Sequence, residues 1–277
     1  MSISLDNSVF SLKASEYYDS ETVLDYPTIF TEDYWKSQVL DWEANWDNLT
    51  VTSGSDKKGW LGDGDPDTKW ESSGSDDGTT EELDINFYDP YNAVSREFDT
   101  IVILNHNWKL FEIYTNERDT LIGKYSESDS YTFISLDSAV TSGDLRIEIL
   151  TTQTADQEKY AGEIIVCKER LTLPDFDIYE PSIFEGGGRF RLKSGTAKKY
   201  TEFEKRRISF GFEFLPEDTL ETLEDIWKEN SSFVIYPEPE DRPLFCFEAQ
   251  FVDPLSFPYS VFWKGAGFDF RIEIEQV

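Results

Sequence analysis

Between Trp60 and Trp70 the chain reads Trp-Leu-Gly-Asp-Gly-Asp-Pro-Asp-Thr-Lys-Trp. Asp63, Asp65, Asp67 and Thr68 put three carboxylates and a hydroxyl within six residues, and Gly62, Gly64 and Pro66 force the backbone to curl. Hard oxygen donors at this density suit Ca²⁺, which takes about six to eight oxygens at roughly 2.3–2.6 Å. The spacing is not that of an EF-hand, whose ligands spread over about twelve residues and end on a closing Glu. The alternative reading of the same residues is an acidic surface turn capped by a buried tryptophan, because turn chemistry alone also selects Asp and Gly.

Few other residues could do chemistry. The single histidine, His106, stands in Leu104-Asn105-His106-Asn107-Trp108 and reads as a turn residue donating to backbone. One histidine cannot supply two zinc ligands, and Cys167 and Cys246 sit in separate apolar contexts that suit buried free thiols. There is no Gly-x-Ser-x-Gly nucleophile elbow, and Gly186-Gly187-Gly188 lacks the Lys-Ser/Thr that a phosphate cradle needs. With 56 acidic side chains, some carboxylate pairs lie close by chance, so such pairs say nothing about glycoside hydrolysis. No enzymatic activity is expected.

Composition narrows the partners. The chain is 39% hydrophobic and 16% aromatic, enough to fill cores, yet 56 acids against 25 bases give a net charge of −31. Phosphate backbones are held by basic groups that displace counterions, so nucleic acid is not an expected partner. An anionic membrane surface would repel the chain too, and no run approaches the ~18 apolar residues of a spanning helix, so no membrane insertion is expected. The N-terminus lacks a basic region followed by an apolar one, which points to synthesis in a cytoplasm.

The elements that must position the acidic turn read as short strands separated by Asp/Gly/Ser/Pro turns, the pattern of a sandwich or barrel. Strands are expected at 83–87, 100–105, 110–114, 131–136, 145–150 and 162–168. Leu145-Arg146-Ile147-Glu148-Ile149 alternates, whereas Thr100-Ile101-Val102-Ile103-Leu104 is continuously apolar and suits a strand covered on both faces. Asp63-Gly64-Asp65-Pro66-x-Thr68-x-Trp70, followed by this succession and by Gly162-Glu163-Ile164-Ile165-Val166, resembles the calcium loop and strand order of discoidin-type, galactose-binding-like β-sandwich domains. The resemblance covers about residues 45–170. It implies a structural Ca²⁺ held by Asp63, Asp65, Thr68 and Glu163, with Leu61 or Asp67 supplying carbonyls. It also implies a sugar surface of loop aromatics, for which Trp60, Tyr88, Tyr91 and Trp108 are the candidates. Each of these is equally well read as buried packing.

Residues 1–44 read as an aromatic arm, 45–173 as the sandwich, and 174–277 as a smaller α+β domain, making the fold class mainly β. Residues 1–173 hold 35 acids and 13 bases, whereas 174–277 hold 21 and 12. Gly188–Lys193 and Arg207–Phe214 alternate and predict a hairpin with a long loop. Pro216–Asn230 predicts a helix, with acids in its first turn and Leu220, Leu223, Ile226 and Trp227 on one face. Strands follow at 233–236, 244–251 and 268–275, with 259–263 as the expected partner of the last. Leu220, Leu223, Ile226, Trp227, Phe233, Ile235, Pro237, Pro239, Gly267, Phe268, Phe270, Ile272, Ile274, Glu275 and Val277 form a pattern that resembles tail-tube-like and baseplate-associated proteins of tailed bacteriophages.

That second resemblance implies a virion tail protein that forms rings with other copies of itself and contacts neighbouring tail proteins. Its outer sandwich would touch host surface glycans. Arg189, Arg191, Lys193, Lys198, Lys199, Lys205, Arg206 and Arg207 are the expected assembly residues, being eight of the domain's 12 bases. The alternative is a free-standing, Ca²⁺-stabilised carbohydrate-binding protein.

Overall fold

The computed structural model describes residues 28–31, 49–63, 66–74, 76–87, 95–115, 119–173, 178–191, 197–229, 233–237, 247–252 and 268–276. The chain divides into two compact units, Met1–Val23 with Asp33–Lys168, and Leu24–Glu32 with Glu169–Val277.

The first unit is a β-sandwich. One sheet has the order β2 (Leu49–Val51), β4 (Glu81–Asn86), β9 (Asp144–Thr152), β6 (Trp108–Thr115) and β7 (Thr120–Ser126). The facing layer sets β5 (Arg96–Leu104) between β8 (Tyr131–Ser142) and the first half of β11 (Glu163–Thr172). Period-two patterning drives this arrangement: Leu83, Ile85, Ile147, Ile149, Phe111 and Ile113 from the first sheet share one buried cluster with Ile101, Ile103, Ile134, Ile164 and Val166 from the second. Burying such branched side chains contributes about 1.5–3 kcal/mol each. The continuously apolar β5 is covered on both faces, as its composition requires. Val102 and Leu104, which alternate with the core residues, are also buried, and Val102 lies in register between Ile165 and Phe133. A separate two-stranded ladder joins β3 (Trp70–Glu71) to β10 (Tyr160–Ala161).

Strand β7 was not expected, since Gly123 and Lys124 break its apolar pattern. A Cβ on Gly123 would lie 2.4 Å from the Tyr125 hydroxyl, so any side chain there would push the Tyr125 ring aside. The Tyr125 ring stacks on Phe111 with centroids 5.4 Å apart.

In the second unit the strand order is β12 (Ile178–Arg191), β13 (Ala197–Leu215), β16 (Phe268–Gln276), β15 (Phe247–Phe251), β14 (Phe233–Tyr236) and β1 (Thr28–Thr31). The single described helix, α1 (Glu217–Glu229), buries Leu223 and Ile226 in a cluster with Ile208, Phe210, Ile235 and Ile274. Thr28–Thr31, which the sequence places in an aromatic arm, is a strand that pairs antiparallel with β14 and buries Thr28, Ile29 and Phe30. The described partners of β16 are β13 and β15, and residues 259–263 lie outside the described residues. Arg207 is committed within this sheet, its guanidinium donating to Glu273 at 3.3 Å and Glu275 at 2.9 Å.

The sandwich core carries a direct test. Ile147 is fully buried at the centre of β9, so Ile147→Ala should lower unfolding stability by about 2–5 kcal/mol in urea titrations. A loss under about 1 kcal/mol would mean that the two sheets do not share the packed core described above.

Candidate functional site

The acidic turn is held by the strands on either side of it. A 3₁₀ turn, Lys58–Gly62, leads into Asp63, and the chain leaves through Trp70 on β3. Trp70 is fully buried and its indole N–H donates to the Ser53 carbonyl at 3.1 Å. Register pairs Trp70 with Ala161 and Glu71 with Tyr160, which places the end of the turn beside the residues that precede β11.

The closest approach is backbone to backbone. A Cβ on Gly162 would lie 2.3 Å from the Pro66 carbonyl oxygen, so only glycine fits there. That carbonyl also accepts the Asn105 side-chain amide at 2.6 Å, with Asn105 in the left-handed region at φ 54. The Gly162 N–H donates to the Leu104 carbonyl at 3.0 Å. The turn is therefore locked onto the position immediately before Glu163, which is only 3% exposed.

Of the proposed ligands, Asp63 and Thr68 meet directly: the Thr68 hydroxyl donates to Asp63 Oδ2 at 2.7 Å. Asp67 is exposed on the same turn, and Asp65 lies outside the described residues. Among the described residues, no group of three or more His, Cys, Asp or Glu side chains stands ready for a metal. Asp63, Thr68 and the nearly buried Glu163 each offer oxygen, the donor type that a hard cation takes.

Beside the turn lies a surface of which the sequence named Trp60 alone. Trp60 is 41% exposed, and Lys57 Nζ stands 5.7 Å from its ring centroid. Lys57 pairs with Glu71 at 3.1 Å. Glu71 faces Tyr160 in register, and Lys69 Nζ lies 4.1 Å from the Tyr160 ring. Trp60, Lys57, Glu71, Tyr160 and Lys69 thus form a continuous run of aromatic and charged groups. Only the β3–β10 pairing assembles it. Its sole sequence signal was the interleaving of aromatics with opposite charges around the turn.

Other candidates fall elsewhere. Trp108 is not a surface platform: it opens β6, is fully buried, and packs against Phe111 with centroids 5.6 Å apart. The sequence placed it in a loop because His106 and Asn107 precede it. Tyr88 and Tyr91 lie outside the described residues. Lys159, also unforeseen, is fully buried and donates to the carbonyls of Asp76 at 2.7 Å and Thr79 at 2.6 Å, pinning that turn beside β10.

His106 is not a general base poised for catalysis. It is fully buried, its Nδ1 accepts the Trp108 N–H at 3.1 Å, and Nε2 therefore carries the proton and donates to Thr132 Oγ1 at 2.9 Å. Burial pushes its pKa down to about 3.

No family model matches the chain, and no curated protein matches it. Solved structures do. Chitosan-binding module 1 of a chitosanase/glucanase from Paenibacillus sp. IK-5 is 14% identical, covering 43% of this chain and 92% of that one, with a TM-score of 0.35. The family 32 carbohydrate-binding module of NanJ from C. perfringens, solved with galactose, is 18% identical over 51% of this chain and 99% of that one, at a TM-score of 0.38. A CBM32 module of a Clostridium perfringens GH89 protein is 19% identical over 44% and 94%, at 0.35.

Two outcomes follow from the geometry. Gly162→Val should destabilise the first unit by several kcal/mol, because the new side chain must displace the Pro66 carbonyl; a variant as stable as wild type in thermal melts would refute the locked turn. For His106 the folded pKa of about 3 lies below the ordinary 6.5. The unfolded chain therefore takes up a proton first, and the histidine's contribution is complete above pH 6.5 and is lost as pH falls towards 3. Relative to His106→Gln, the wild-type advantage in urea should shrink by about 2 kcal/mol between pH 7.5 and pH 5. An advantage independent of pH would contradict a buried neutral ring.

Proposed function

We propose that the first unit is a non-catalytic, galactose-binding-like carbohydrate-binding module whose turn is tied down by Ca²⁺. The observation that carries this reading is the surface of Trp60, Lys57, Glu71, Tyr160 and Lys69 beside the docked acidic turn. A pyranose presents C–H groups to an aromatic face and hydroxyls to carboxylate and ammonium groups, and this run offers both kinds of contact. The net charge of −31 disfavours polyanionic glycans, so a neutral sugar such as a galactoside, or an amino sugar, is the fitting class.

The cation would act on stability. Asp63, Asp65, Thr68 and Glu163, with carbonyls from Leu61 or Asp67, would bind it and draw the turn to β11. Ca²⁺ supplies the positive charge that lets carboxylates gather there.

A second reading concerns where the module works. In it, the chain is a structural component of a phage tail or baseplate, made in the host cytoplasm, and the second unit joins copies while the first contacts host glycans with avidity. It rests on the sequence resemblance of the second unit, and the extended β12–β13 hairpin is the element through which copies would join.

A glycan array of neutral and amino sugars, including galactosides and chitooligosaccharides, tests the main reading. Binding is expected and should weaken at least tenfold in Trp60→Ala, and silence across all neutral and amino sugars would end the proposal. EDTA should lower the melting temperature by roughly 5–10 °C, as expected for an ion present well above its Kd, and Glu163→Gln should remove that sensitivity. An unchanged melt on chelation would remove the cation from the scheme.

A further inference from the structure

We propose that the outer part of the β12–β13 hairpin is an arm that docks on the acidic face of helix α1 in a second copy of this chain. The proposal rests on the assembly reading of the second unit and names the two surfaces involved.

Strand β13 pairs with β16 only from Arg207 to Leu215. The β12–β13 ladder continues past that point, from Ile183 opposite Arg206 to Arg191 opposite Ala197, with an irregularity at Gly186/Gly187. Among the described residues this stretch has no third strand. A two-stranded ribbon of that kind, about 30 Å long, is marginal in water by itself.

Its charge adds to the problem. Residues 188–191 and 197–200 of the two strands contain Arg189, Arg191, Lys198 and Lys199 and no acid, in a chain of net charge −31. The register sets Arg189 opposite Lys199, and like charges across a ladder are destabilising. At the root of the arm, Ile183 is 68% exposed, an apolar anchor standing in solvent.

Helix α1 is the complement. It carries six acids and one base, a net charge of −5 that opposes the four bases of the described arm strands, Arg189, Arg191, Lys198 and Lys199. Glu217, Asp218, Glu221 and Asp225 are exposed, because Leu223 and Ile226 turn the apolar side into the core. Lys228 engages Glu224 at 2.9 Å and Asp225 at 3.8 Å, and the first-turn acids lie beyond its reach along the helix.

Helix α1 of the same copy is out of reach of the arm tip. The arm tip opens β13 and the helix begins where β13 ends, so Lys199 and Leu215 are roughly 50 Å apart at the rise of an extended strand. Basic tip and acidic helix at opposite ends of one strand make a head-to-tail contact, which closes into a ring or runs on as a filament. Nucleic acid, the other polyanion such an arm could meet, is disfavoured by the repulsion of the remaining chain.

Mass photometry and sedimentation of the full chain across concentration and salt test the proposal. Wild type should form oligomers at low salt that dissociate in about 0.5 M NaCl, as screening shortens the reach of exposed charges. Lys198→Glu with Lys199→Glu should weaken association at least tenfold, as should Glu217→Lys with Glu221→Lys. Mixing the two variants should restore heteromeric complexes, since one intact arm and one intact helix then meet. A monomeric wild type at low salt, oligomers untouched by the arm substitutions, or no recovery on mixing would each overturn the proposal. Arm-dependent binding to a duplex DNA oligonucleotide with no self-association would overturn it in favour of nucleic acid. Array binding of the same variants separates this contact from the glycan reading, which needs only Trp60 and its neighbours.

Discussion

In the first unit the placement of the acidic turn depends on one backbone contact, the Pro66 carbonyl against Gly162. It converts a flexible acidic turn into a fixed part of the sandwich. Everything of functional interest is arranged around it: Asn105 reaches in from the end of β5, Trp70 closes the turn from below, and Glu163 follows Gly162 directly. Because the contact has no room for a side chain, its geometry is set by main-chain atoms. The β3–β10 pairing beside that contact assembles the Trp60 to Lys69 surface.

The core was legible in sequence because its signal is local. Leu145, Ile147 and Ile149 alternate with polar residues and form β9, and the continuous apolar run at Ile101–Leu104 forms a strand covered on both faces. Long-range pairing was not legible. Thr28–Thr31 is a strand because β14 lies beside it some two hundred residues later, and nothing in four residues declares that. Trp70 and Tyr160 become neighbours only through a ladder of two residues per strand. The same limit hid Lys159, whose burial among carbonyls depends on where the Asp76–Thr79 turn comes to rest.

The sequence concentrates its oxygen-donor chemistry in one turn and carries little signal about side-chain orientation. The turn could be located because carboxylates, hydroxyl, glycine and proline cluster there. Trp108 was misassigned because an aromatic after His-Asn reads like a loop residue, whereas in the fold it starts a strand and faces inward. Arg207 looked like part of an exposed basic edge, yet two glutamates on β16 hold it. Charge in the second unit is thus partitioned: near the sheet it is neutralised internally, and towards the arm tip the sequence supplies bases alone.

We propose that the Asp63–Thr68 turn and Glu163 form one cation-tied platform for sugar recognition. Isothermal titration of the chelator-stripped chain with Ca²⁺ tests it most directly. One ion per chain is expected, absent in Glu163→Gln. No heat of binding, or an identical isotherm for Glu163→Gln, would contradict it.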